Sequence, residues 1–167
     1  MTVLISRWTY YLRSISTLLS RIQPRVRVLA AFLGLTRRPF KIRLDDGCRF
    51  KVRNRMDVWI IKETCLDRDY ERDAVAVEDG WTVVDVGAGL GDFAVCVARR
   101  CPRSIVFAFE PLAESFALLR ENIEQNGLQN VRPLPEAIAG RAGDVFLAAA
   151  TGVAVQHRIT MEESEAT

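Results

Sequence analysis

The stretch that most constrains this chain runs Trp-Thr-Val-Val-Asp-Val-Gly-Ala-Gly-Leu-Gly-Asp over residues 81–92. A β-branched apolar run ends in an acid, three glycines follow at alternate positions, and a segment of helical period comes next. This pattern predicts a strand, a tight turn and a helix N-terminus. Gly87, Gly89 and Gly91 let the backbone take positive φ and let a ligand approach where a Cβ would stand in the way. The helix that starts there points unpaired N–H groups and a positive dipole end into the gap. A crevice at the carboxyl end of a parallel strand is where open α/β sheets bind ligands.

The strand–helix unit then recurs along the chain. Pro102 stops the helix predicted over residues 91–100, and the nearly continuous apolar run Ser104 to Phe109 reads as a parallel strand covered on both faces. That strand ends on Glu110 and Pro111. A helix over Ala113 to Gln125 closes at Asn126-Gly127, and a third strand lies near Val131 to Leu134. The result is β-α-β-α-β, the nucleoside-binding half of a doubly wound sheet. The dinucleotide fingerprint would need its third glycine at position 92, where this chain has an acid. Asp92 in the first helical turn repels a pyrophosphate and occupies the dipole end that phosphates use. S-adenosylmethionine has no phosphate; it presents a carboxylate, an ammonium, a sulfonium and a ribose, and suits the site better than NAD. Glu110 stands where an acid accepts hydrogen bonds from ribose hydroxyls. An NAD-dependent oxidoreductase is therefore the third-ranked reading.

Charge divides the chain of 167 residues unevenly. Residues 1–44 hold nine Arg and Lys and no acid, which leaves 14 bases against 21 acids in residues 45–167. The apolar positions from Leu4 to Ile22 fall on one face of a helix, with Arg7, Arg13, Ser14, Thr17 and Arg21 on the other. Pro24 ends that helix, and a second apolar segment, Val26 to Leu35, stops at Gly34. Arginines interrupt both runs short of a membrane span. Three readings of the arm stay open: packing on the body or on a second copy of the chain, contact with a membrane interface through residues 3–35, and a cleaved targeting segment. Nucleic acid fits less well, because the bases do not alternate with stacking aromatics. Residues 39–54 alternate around Asp45-Asp46-Gly47 as a hairpin, and after it come a helix from Val58 to Asp67 and a short turn or helix over Tyr70 to Ala76. Cys48, Cys65, Cys96 and Cys101 show no paired spacing, and His157 is the only histidine, so the sequence predicts no metal site, reduced thiols and a cytoplasmic setting. Cys96 and Cys101 read as core or boundary residues, and His157 as a hairpin surface residue.

Taken together, Asp-Val-Gly-Ala-Gly-Leu-Gly-Asp-Phe from Asp85, Ala-Phe-Glu-Pro from Ala108, Glu-Asn-Ile-Glu-Gln-Asn-Gly-Leu from Glu121, Asn130-Val131 and Glu-Ala-Ile-Ala-Gly from Glu136 resemble the FkbM-type family of class I S-adenosylmethionine-dependent methyltransferases. The resemblance covers about residues 40–140 and implies a Rossmann-like α/β fold that methylates a hydroxyl on a sugar or other metabolite. It also implies a cofactor site. Asp85, Gly87, Gly89 and Gly91 would hold the methionine end, Glu110 the ribose, and Glu136 with Ala137 would border the adenine, with Ala88, Asp92 and Pro111 completing the cofactor-binding set. The later strands of that family, with their acid-rich segment, do not follow. The expected organisation is a basic arm (1–38), a hairpin and helix lead-in (39–80) and an incomplete cofactor-binding domain (81–167) with three parallel strands, ending in a hairpin of Val145 to Ala150 and Val153 to Ile159 around Thr151-Gly152. A sheet with no fourth strand exposes an edge and an apolar face. The alternative reading is therefore a truncated, non-catalytic S-adenosylmethionine-binding or interaction module.

Overall fold

Alternation of apolar and charged residues builds the front of the molecule. In β2 (Phe40–Leu44) and β3 (Arg49–Val52), Phe40, Ile42, Leu44, Phe50 and Val52 are buried while Lys41, Arg43 and Arg49 face solvent. The strands pair antiparallel with Ile42 opposite Phe50 and Arg43 opposite Arg49. The computed structural model describes residues 14–36, 38–72, 75–140, 146–149 and 157–160. The hairpin is not alone. A two-residue strand, β1 (Ile22–Gln23), adds to it through Ile22 opposite Leu44, and it follows a helix, α1 (residues 14–21). The sequence places Ser14 on the polar face of that helix; the structure buries it to 2% exposure, with Leu18 and Ile22 also inside and Ile15 outside at 52%. The cause is Lys62, itself buried, whose ammonium donates to Ser14 Oγ at 2.7 Å, pairs with Asp67 at 2.5 Å and lies 4.9 Å from the Trp59 ring centre. A buried cation needs such partners, and they rotate the helix to supply one. α2 (Arg25–Phe32) buries Val28 and Ala31, and Gly34 at φ 73° takes up the left-handed conformation after it.

Asn54 caps α3 (Arg55–Ile61) by accepting from the N–H groups of Met56 and Asp57. The sequence predicts one helix through to Asp67. Instead α3 widens into a π-helical turn over Lys62–Asp67, ended by Arg68 at φ 55°, before the short α4 (Asp69–Arg72). Lys62, Thr64 and Cys65 all point inward from this turn. Cys65 forms a disulfide with Cys96, 31 residues away. The expectation of four reduced thiols is corrected: no spacing rule reveals a pair brought together by tertiary packing. Cys48 and Cys101 are free and buried.

The glycine-centred unit folds as read. β4 (Thr82–Val86), β5 (Ile105–Phe109) and β6 (Val131–Leu134) form a parallel sheet in that order, with Asp85 beside Ala108 and Phe109 beside Leu134. α5 (Asp92–Arg100) and α6 (Ala113–Gln125) connect the strands. Ala94, Val95, Val97, Leu119, Val106 and Ala108 join the hairpin, Leu18 and Val28 in one apolar core. Asn122 holds these layers together, donating to the Leu90 carbonyl at 2.8 Å while its Oδ1 accepts from Lys51 N–H at 2.8 Å. Strand β5 is not covered on both faces: among the described residues Val84, Val86 and Ile105 of one sheet face are 57%, 60% and 43% exposed. β7 (Phe146–Ala149) and β8 (His157–Thr160) pair antiparallel as a separate sheet with Ala149 opposite His157. The predicted turn at Thr151-Gly152, and residues 3–13 of the first predicted helix, lie outside the described residues. Within them no helix is long and apolar enough to cross a membrane.

Candidate cofactor-binding site

Strand β4 delivers the chain to Gly87, whose N–H and that of Ala88 both donate to the Phe109 carbonyl at 2.9 Å. The turn then needs positive φ at Gly87 (75°), Gly89 (55°) and Gly91 (88°). The three glycines do different work. A Cβ at Gly87 would meet nothing within 4 Å, so that position opens on a crevice, whereas at Gly91 it would stand 2.5 Å from Leu119 Cδ1. Gly91 is buried and lets α6 close on the turn; it does not line the crevice. The other nine residues read from the sequence, Asp85, Gly87, Ala88, Gly89, Asp92, Glu110, Pro111, Glu136 and Ala137, surround one space of about 670 Å³.

Three acids set its electrostatics. Glu110, 7% exposed at the end of β5, accepts from Gly89 N–H through Oε2 and from Leu112 N–H through Oε1, both at 2.8 Å. A carboxylate offers about four lone-pair sites, so each oxygen keeps one for a further donor. Asp85 takes the N–H of Ala94, but its Oδ2 is buried without a partner. Burial, then the charges of Asp92 and Glu110, push its pKa up to about 7. Asp92 opens α5 and is 8% exposed; burial raises its pKa against a hydrogen bond from Thr64. Two carboxylates in one apolar crevice hold on to protons that isolated acids would release.

The opposite wall escapes a reading of the sequence. Arg53 grips Asp57 with Nε at 3.0 Å and Nη2 at 3.1 Å, and both line the crevice. The i,i+4 spacing of an arginine and an acid around Asn54 is the signal that could have found them. Tyr70 also lines it, edge-on to Phe93 with ring centres 5.8 Å apart. Burial, then Asp92 and Asp85, raise the pKa of its phenol.

The residues present fit S-adenosylmethionine. The unpartnered Asp85 Oδ2 suits an ammonium, the spare lone pairs of Glu110 suit ribose hydroxyls, and the open space at Gly87 admits a ligand against backbone. A pyrophosphate would meet Asp85, Asp92 and Glu110 instead, with Arg53 already committed to Asp57. Fold and site together define the cofactor-binding unit of a Rossmann-like class I S-adenosylmethionine-dependent methyltransferase.

The chain belongs to the TRM5/TYW2 methyltransferase domain family, whose model matches residues 41–166. Methyltransferase sdnD of Sordaria araneosa is 27% identical over 116 residues, covering 69% of this chain and 44% of that protein. The 31-O-demethyl-FK506 methyltransferase FkbM of Streptomyces tacrolimicus is 35% identical over 82 residues, 48% of this chain and 32% of that protein. Among solved structures, M. jannaschii TYW2 in complex with AdoMet aligns with a TM-score of 0.44 at 27% identity, covering 59% of this chain and 43% of that one. The chain thus spans less than half the length of each of these relatives.

Proposed function

We propose that this chain binds S-adenosylmethionine for methyl transfer to a hydroxyl of a small, uncharged or cationic metabolite, as an FkbM-type enzyme. The carrying observation is the charge of the crevice. Among the described residues, Asp57, Asp85, Asp92, Glu110 and Glu136 line it against one cation, Arg53, which Asp57 already neutralises. A polyphosphate acceptor such as RNA would need cations there. The relative whose name gives it an O-demethylated metabolite as acceptor supports the same reading.

In this mechanism the cofactor supplies an electrophilic methyl group on sulfur. The chain's part is to orient. Asp85 Oδ2 would hold the ammonium, which also restores its ionised form near neutral pH, and Glu110 would take the ribose. Tyr70, Phe93 and Ile138 line the same crevice, and an acceptor oxygen would have to be held there in line with the methyl group. Such placement supplies much of the rate of a bimolecular transfer. The acceptor hydroxyl would give up its proton to solvent as its oxygen takes the methyl group, since Tyr70 and Ile138 are 70% and 49% exposed at the crevice.

The test has two parts. Calorimetric titration with S-adenosylmethionine and with NAD should give heat for the first alone. Transfer of radiolabelled methyl from the cofactor should then reach hydroxylated metabolites such as glycosides and macrolides, and not tRNA transcripts. Labelling of RNA alone would overturn the acceptor class, and cofactor binding with no transfer to any acceptor would favour the binding-module reading.

A further inference from the structure

One surface of the molecule is left uncompensated, and it lies away from the crevice. On the solvent side of the β1–β2–β3 sheet, Lys41 stands opposite Lys51 and Arg43 opposite Arg49. Like charges directly opposite on a sheet are destabilising. Lys51 is relieved by Glu121 at 2.6 Å, but Lys41, Arg43 and Arg49 have no carboxylate partner among the described residues. They border a shallow cleft of about 450 Å³ closed at its sides by Pro24 and Gln125. Helix α2 begins immediately after Pro24 and adds Arg25 and Arg27, both exposed.

The same helix presents apolar side chains to solvent. Val26, Leu29 and Leu33 are 80%, 47% and 63% exposed. Their i, i+3, i+7 spacing puts them on one face, opposite the buried Val28 and Ala31. An apolar ridge with the exposed Arg25 and Arg27 on either side of Val26, next in the chain to the cationic sheet and in a stretch without one acid from residue 14 to residue 44, is complementary to a surface that offers hydrocarbon behind a layer of negative charge. We propose that the β1–β2–β3 sheet face and α2 form a docking surface for an anionic lipid bilayer. The cations meet the headgroups and Val26, Leu29 and Leu33 enter the acyl boundary. Nucleic acid explains the charge but not the ridge. The solvent side of the sheet carries Gln23, Lys41, Arg43, Arg49 and Lys51, with no aromatic on which a base could stack.

The crevice and the cleft lie apart along α6. Ser115 lines the crevice and Gln125 the cleft, and ten residues of α6 separate them by about 15 Å. Docking would hold the methyl-transfer site about 15 Å along α6 from the bilayer-facing cleft.

The experiment is co-sedimentation of the full chain with vesicles of phosphatidylserine and phosphatidylcholine, against vesicles of phosphatidylcholine alone. The expected result is partition onto the anionic vesicles, weakened by salt and absent from the neutral ones. Replacing Lys41, Arg43 and Arg49 by glutamine should lower the partition coefficient about fivefold per cation, or about two orders of magnitude together. Val26→Ser with Leu33→Ser should lower it at least about tenfold with all charges intact. Every position is exposed, and circular dichroism with thermal melting establishes that each variant folds. Failure of the wild-type chain to sediment, equal binding to neutral vesicles, or unchanged binding by either variant set would each overturn the proposal. So would tight binding of a homopolymeric RNA that the serine variants retain, because it would assign the cations to nucleic acid.

Discussion

Asp85→Asn should stabilise the ligand-free protein while weakening cofactor binding. In the folded chain the Asp85 carboxyl has its pKa raised from 3.8 to about 7, first by burial and then by Asp92. A raised pKa makes an acid a liability to the folded state at high pH. Between the two values the folded state keeps a proton that the unfolded state releases, so stability falls as pH rises from about 4 to about 7 and stays low above it. At about 1.4 kcal/mol per tenfold step the full loss is about 4 kcal/mol. Water entering the open crevice screens part of it, which brings the expected effect to about 2–3 kcal/mol. Asparagine keeps the shape and removes the charge. Urea unfolding followed by tryptophan fluorescence should therefore show the variant more stable than wild type by that amount at pH 8. The gap should close as pH approaches 4, where both side chains are neutral. Asp92 is present in both proteins, so its own raised pKa largely cancels in the difference. Saturating S-adenosylmethionine should reverse the order at pH 8, since it stabilises only the chain that binds it well. A variant no more stable than wild type at pH 8, or a gap that does not change with pH, would refute the assignment of Asp85 as a buried, uncompensated carboxylate.

Other positions give separable outcomes. Gly91→Ala places a methyl group 2.5 Å from Leu119 Cδ1 at φ 88°, and should cost about 2–4 kcal/mol in thermal unfolding. Gly87→Ala meets no atom within 4 Å; it should cost about 1 kcal/mol of stability for its positive φ but reduce S-adenosylmethionine affinity in calorimetry. Asn122→Ala leaves the Leu90 carbonyl and the Lys51 N–H without their partner, and should destabilise by about 2–3 kcal/mol. Reducing the Cys65–Cys96 bond, or replacing both residues by serine, should lower stability by about 3–4 kcal/mol for a loop closed over 31 residues, read as a shift of the urea midpoint.

The parts of this fold that show in the sequence are those whose signals are local. Apolar runs bounded by Gly, Pro and Asn-Gly mark β4 through β6, and the helix between Ala113 and Gln125 begins and ends where its flanking residues require. The glycines of the turn and the acids at the strand ends are also marked locally, so nine residues that line the crevice can be read in order. The features that stay hidden depend on residues far apart in the chain. β1 is two residues long and exists because Leu44 offers a partner. Ser14 is buried because Lys62, 48 residues away, needs an oxygen. The disulfide follows from a π-helical turn that has no compositional signature. Asn130 appears in sequence as one letter of a motif, yet its Nδ2 donates to the carbonyls of Ala98 and Ser104, both at 3.0 Å, and so fixes the entry to β6 against the end of α5. Gly91 reads in the sequence as a ligand position, and its hydrogen-sized side chain proves to be a demand of helix packing.

The bond from Gly89 N–H to Glu110 Oε2 has a kinetic consequence. The glycine turn is braced from the neighbouring strand by a carboxylate that also faces the ligand's space, so its shape is set by bonds within the chain itself. A ligand entering such a turn orders little backbone on arrival, and the entropic cost of loop immobilisation drops out of its affinity. Association should then be a single bimolecular step, linear in ligand concentration with no plateau from a preceding isomerisation. Glu110→Ala would release the brace, and stopped-flow traces of that variant should bend towards a concentration-independent rate.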